Sequence, residues 1–155
     1  MDNQLSFSPT VQAILEQAGW YKGRNAAGTF PLPHDVVYSD AIMLILNEFG
    51  GLYLRSNGPG ITLSRFSIDF DPMDADFESS EDGIIYYYAS LIAKKLYPLG
   101  FIPTESLMLC IDENFCMYKV GDNLHYAGDS FAEGVSNILL GIRGKTLNEQ
   151  TLEWE

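Results

Sequence analysis

From Leu99 to Ala127 four short apolar runs follow one another: Leu99–Ile102, Leu107–Ile111, Phe115–Val120 and Leu124–Ala127. The last three are divided only by Asp112–Asn114 and Gly121–Asn123. Connections that tight imply antiparallel pairing of neighbours, so this stretch predicts a meandering sheet to which the rest of the chain must adapt.

Helical patterns lie on either side of the meander. Ser8 followed by Pro9 is a helix-start signal, and Val11, Ile14, Leu15 and Ala18 recur at helical spacing until Gly19. A second helix is predicted to begin between Asp35 and Ser39 and to reach Phe49, where Gly50 and Gly51 stop it. Its run Ile42–Leu46 is apolar on every side, which predicts a helix covered by the rest of the domain. Ile84 to Tyr97 is helical again, with Leu91, Ile92 and Leu96 toward the core and Lys94 and Lys95 in the last turn. Ser130 and Glu133 fit a capping box, opening a final helix whose stripe of Phe131, Val135, Ile138 and Leu139 ends at Gly141.

The remaining segments are less regular. Leu52–Leu54 reads as a brief strand and 56–60 as a turn. Ile61 and Leu63 alternate in one phase while Phe66, Ile68 and Phe70 share the other, so a strand bulged near Ser64 and Arg65 reconciles them. From Lys145 the chain is polar and predicted to fray. The expected architecture is one α+β domain over residues 1–144 with a polar C-terminal tail, 145–155. Its central, mostly antiparallel sheet has about four helices packed around it, those at the two ends of the sequence lying on one side.

With 155 residues, 46% of them hydrophobic and 19% charged, the chain is long and apolar enough to bury a core without disulfides or metal. Cys110 and Cys116 lack CxxC spacing or a second pair and read as reduced thiols. The N-terminus is not followed by an apolar run and no stretch matches a membrane span, so a cytoplasmic protein is expected, with no membrane partner.

The formal charge is −12, from 21 acidic and 9 basic residues. A third of that acidity sits in one segment: Asp69, Asp71, Asp74, Asp76, Glu78, Glu81 and Asp82 span fourteen positions with no basic residue. Such density predicts an exposed, extended loop. The field repels nucleic acid and favours a partner with a basic surface, although acidity also serves solubility. These seven carboxylates are the candidate partner-binding residues.

Catalytic patterns fail on spacing. Gly144-Lys145-Thr146 resembles the end of a phosphate loop, but Gly141 precedes Gly144 by too few residues. Gly128-Asp129-Ser130 resembles a nucleophile elbow whose last glycine is replaced by Ala132, and Ser130 is better explained as a helix cap. His34 and His125 have no metal or relay partner nearby in sequence. Pro72 and Met73 interrupt any calcium-loop spacing from Asp71, and Asp76 stands where the loop glycine belongs. Tyr86, Tyr87 and Tyr88 point in different directions on a helix, some to core and some to surface. No catalytic, cofactor or metal residue is predicted.

Several local patterns together resemble a known family. Ala18-Gly19-Trp20 with Gly23-Arg24, then Glu48-Phe49-Gly50-Gly51-Leu52, Tyr97-Pro98-Leu99-Gly100, and Gly128-Asp129-Ser130 opening the last helix, are similar to the third subfamily of the SUKH superfamily of bacterial immunity proteins. The resemblance runs from about Phe7 to Gly141. It implies an α+β fold and a non-enzymatic protein, without cofactor, that neutralises a cognate polymorphic toxin, commonly nuclease-type, by direct binding. It implies structural roles for the motif residues Trp20, Arg24, Glu48, Phe49, Gly50, Gly51, Pro98, Gly100, Gly128, Asp129 and Ser130. A scaffold or regulatory module of the same superfamily is the alternative, and a divalent-metal hydrolase centred on Asp69 and Asp71 is a third reading.

Overall fold

Apolar residues alternate in allegiance along the central strands, and that alternation organises the molecule. The computed structural model describes residues 2–73 and 83–155. After a 3-10 turn (Asp2–Leu5), the elements are α1 (Pro9–Gln17), α2 (Asp40–Phe49), β1 (Tyr53–Leu54), β2 (Ile68–Asp69) and α3 (Ile84–Ile92). Next come β3 (Leu96–Ile102), β4 (Leu107–Asp112), β5 (Met117–Val120), β6 (Leu124–Gly128), α4 (Phe131–Leu140), β7 (Lys145–Asn148) and β8 (Glu153–Trp154).

The eight described strands lie side by side in chain order, every neighbouring pair antiparallel. On β4, Leu109 and Ile111 enter one core while Met108 and Cys110 enter another. Two residues separate side chains of one face, so these cores lie on opposite sides of the sheet. The first face carries α1, α2 and α4, through Leu15, Ile45, Phe49, Phe131 and Val135. The second carries α3, through Ile85 and Tyr88. This is the α+β sheet expected, with α1 and α4 on one side as predicted.

Helix starts follow their local chemistry. Ser8, Ser39 and Ser130 cap α1, α2 and α4, accepting from the amides of Val11, Ile42 and Glu133. At α4 the Glu133 carboxylate reaches the Asp129 amide at 3.3 Å, one residue before the cap, and Gln4 Oε1 accepts from Phe131 N at 2.7 Å.

Four expectations change. Leu44 is 61% exposed, so α2 is covered on three sides rather than all round. The predicted bulged strand over 61–70 shrinks to β2, because the amides of Ile61, Thr62, Leu63 and Phe66 donate to carbonyls of Leu140, Gly141 and Ile138. Those carbonyls belong to the last turn of α4 and its cap, which have no partner within the helix. The third helix stops at Ile92, where Ala93 adopts a left-handed conformation (φ 55°), and Leu96, Tyr97 and Pro98 join β3 instead. Finally, the segment from Lys145, expected to fray, forms the hairpin β7–β8. β7 pairs with β6, and Trp154 packs on Tyr118 and Tyr126 at 6.1 and 5.5 Å between ring centroids.

Candidate partner-binding surface

The motif residues converge on one structural clamp. Trp20 Nε1 donates to Glu48 Oε2 at 2.9 Å, and the Gly23 amide donates to Glu48 Oε1 at 3.3 Å. Arg24 Nη1 donates to the carbonyls of Glu48 and Gly50 at 2.7 and 3.0 Å, capping the end of α2 with its charge. Phe49 is fully buried, its ring touching those of Phe7, Trp20, Phe70 and Phe131. At φ 82°, Gly51 occupies backbone space that suits only glycine. The clamp thereby fixes the turn after α1 against the end of α2.

The other motif positions are also structural. The Pro98 carbonyl accepts from Tyr38 Oη at 2.6 Å. A side chain at Gly100 would meet the Asp69 carbonyl oxygen at 2.2 Å, so glycine lets β2 approach β3. Gly128 ends β6, Asp129 accepts from Tyr126 Oη, and the Ser130 hydroxyl is occupied by the α4 cap.

Of the seven acidic candidates, Asp69 lies on β2 opposite Tyr53 and Phe101, half-buried. Asp71 is half-buried and accepts from the Met73 amide at 3.0 Å, a local turn. Asp74, Asp76, Glu78, Glu81 and Asp82 lie outside the described residues. Directly after this segment, α3 divides its three tyrosines. Tyr88 is buried and donates to the Asp122 carbonyl at 2.9 Å, while Tyr86 and Tyr87 are 60% and 52% exposed.

Tyr87 Oη donates to Glu149 Oε1 at 2.6 Å, tying α3 to the turn between β7 and β8. That hydrogen bond raises the Tyr87 pKa above its ordinary value. Burial, with the Glu149 charge adding to it, pushes Tyr88 up to about 12. This juxtaposition escapes sequence reasoning because 62 residues separate the partners; the only local signal was three successive tyrosines.

A second carboxylate, Asp112, is buried in the β4–β5 turn. It accepts from the amides of Asn114 and Cys116 at 2.8 and 3.0 Å and from Tyr118 Oη at 2.8 Å, with Lys94 Nζ 3.9 Å away. Full pairing makes it a turn anchor rather than an available acid. Burial pushes the Cys110 and Cys116 thiols up, which opposes thiolate formation. His125 faces Thr146 at 3.0 Å across β6–β7, and His34 is exposed. Among the described residues no group of three or more His, Cys, Asp or Glu side chains is placed to hold a metal ion. Nor is any helix among them long and apolar enough to cross a membrane.

The family model for the SUKH-3 immunity protein matches residues 7–141, and the chain belongs to that family. No curated protein and no solved structure matches it. The match covers the clamp and every buried residue of the first core but ends before the β7–β8 hairpin, so Leu147 and Trp154 of the second core stand outside it, as does Glu149.

Proposed function

We propose that this immunity protein neutralises a cognate toxin of nuclease type in the cytoplasm of the producing bacterium. It does so by binding the toxin directly, without turnover, cofactor or metal. The carboxylates of 69–82 oppose a basic surface of the toxin and stand where substrate phosphates would lie. The observation that carries this reading is the concentration of seven carboxylates without a cation in a chain of net charge −12. A nuclease cleft must attract polyanions, and the same field draws in an acidic inhibitor. The occupied state of Ser130, Asp112 and Glu48 supports a binding role, since these polar groups are spent on the fold.

The test is binding of the C-terminal domain encoded by the neighbouring toxin gene to the D71N/D74N/D76N/E78Q variant. Interfacial charge pairs couple by about 1.5 kcal/mol or more, so affinity should fall about ten-fold or further and its salt dependence should flatten. Unchanged affinity would remove the segment from the interface.

A further inference from the structure

Two successive tyrosines, 60% and 52% exposed, require an explanation in a chain whose other aromatic side chains among the described residues, Tyr21 and Tyr53 apart, are buried or half-buried. Tyr86 and Tyr87 lie in the first turns of α3, a helix whose opposite side is anchored by Ile85 and Tyr88. Of the two, Tyr87 rests its ring edge-on against Tyr88, with centroids 5.0 Å apart, and its hydroxyl is held by Glu149. An exposed aromatic face is thus pinned beside a carboxylate contributed by a separate element. The nearest cations in sequence, Lys94 and Lys95, are engaged elsewhere, with the Asp112 carboxylate at 3.9 Å and over the Tyr97 ring at 5.0 Å.

We infer that the outer side of α3, Tyr86 and Tyr87 beside Glu149, receives an arginine side chain of the basic partner. This deepens the proposed function and rests on it. A guanidinium is planar and weakly hydrated, so it stacks on a phenol ring while its N–H groups meet a carboxylate edge-on; an ammonium does this less well. The Tyr87 hydroxyl fixes the ring beside the exposed Glu149 carboxylate, which also interacts with Tyr88; a carboxylate offers about four lone-pair positions, more than two phenols fill. Tyrosine and arginine are both enriched at the energetic centres of interfaces, where a rigid aromatic loses little entropy on binding. Charge complementarity completes the argument, because the acidic segment ends at Asp82, only two positions before α3 begins. The carboxylates would supply long-range attraction, and the tyrosines a preference among cations.

Calorimetric titration of the full chain with nona-arginine and nona-lysine peptides separates these roles. The native protein should favour the arginine peptide by about three-fold. Y86L/Y87L should bring that ratio close to one while keeping its affinity for the lysine peptide; E149Q should lower the ratio part of the way. Y87F, which keeps the ring, should retain a preference. The D71N/D74N/D76N/E78Q variant should weaken both peptides alike and leave the ratio intact. Either of two titration results would overturn the inference: equal binding of both peptides by the native protein, or a ratio unchanged in Y86L/Y87L. Sedimentation showing a native dimer that Y86L/Y87L dissociates would assign the face to a second copy instead. If only the four-site variant is silent, the acidic-segment reading fails and the tyrosine face stands. Far-UV circular dichroism checks that each variant is folded.

Discussion

The two faces of the sheet are built to different specifications. On the first, α1, α2 and α4 close over one aromatic cluster in which Phe49 and Phe131 lie 4.8 Å apart between ring centroids, and the family motif clamps its rim. On the second, α3 and the β7–β8 hairpin share the covering, leaving Ile84, Leu91, Ile92, Tyr126 and Trp154 half-buried. The densely covered face has little surface to spare for recognition. The thinly covered one presents Tyr86, Tyr87 and Glu149.

The largest expected effect tests that contrast by truncation. Phe49→Ala removes a fully buried ring contacting four other aromatics and should cost about 3–5 kcal/mol. Ile85→Ala, on the one helix that the described residues place over the second face, should cost about 2 kcal/mol, the low end for such a deletion, because half-buried neighbours can close in. Urea unfolding of both variants gives the comparison directly. Equal losses would mean that the two faces carry similar packing and that the contrast is only one of appearance.

A smaller effect sharpens it. Trp154→Ala should cost about 1–2 kcal/mol, and the loss should be local, since Trp154 is half-buried and touches only Tyr118 and Tyr126 among aromatic rings of the described residues. Hydrogen exchange should then speed up in β7 and β8 while β3, β4 and β5 keep their protection. Uniform acceleration would show the hairpin to be integral to the central sheet.

What could be read from the sequence divides by the range of the interactions involved. The meander β3–β6 and the caps at Ser8 and Ser130 were legible because turns and caps are decided within a few residues. The stretch 61–66 alternates like a strand, yet its amides serve carbonyls of α4 and its cap more than 70 positions away, which no local alternation reveals. Leu96 shares a helical phase with Leu91 and Ile92, yet the left-handed turn at Ala93 redirects it into β3. The hairpin is hidden by its polar composition, its anchors Leu147 and Trp154 finding their partners only across the sheet. At the candidate surface, the acidic segment was plain from composition, whereas the contact of Tyr87 with Glu149 exists only through the fold.

The smallest effect concerns pH and lies where β6 meets the added hairpin. Burial lowers the His125 pKa below its ordinary 6.5, the Lys119 charge lowers it further, and Glu105 partly opposes both. The folded state therefore binds this proton less readily than the unfolded chain. The sign follows: His125 contributes stability above its unfolded pKa, and that contribution is lost as pH falls through the lower folded value. Denaturant midpoints should decline between about pH 7 and about pH 5.5 before most carboxylates titrate, and His125→Gln should flatten that part of the profile. A native profile as flat as the variant's would place His125 in water-like surroundings. It would also loosen the β6–β7 seam, which the His125–Thr146 contact at 3.0 Å helps to define.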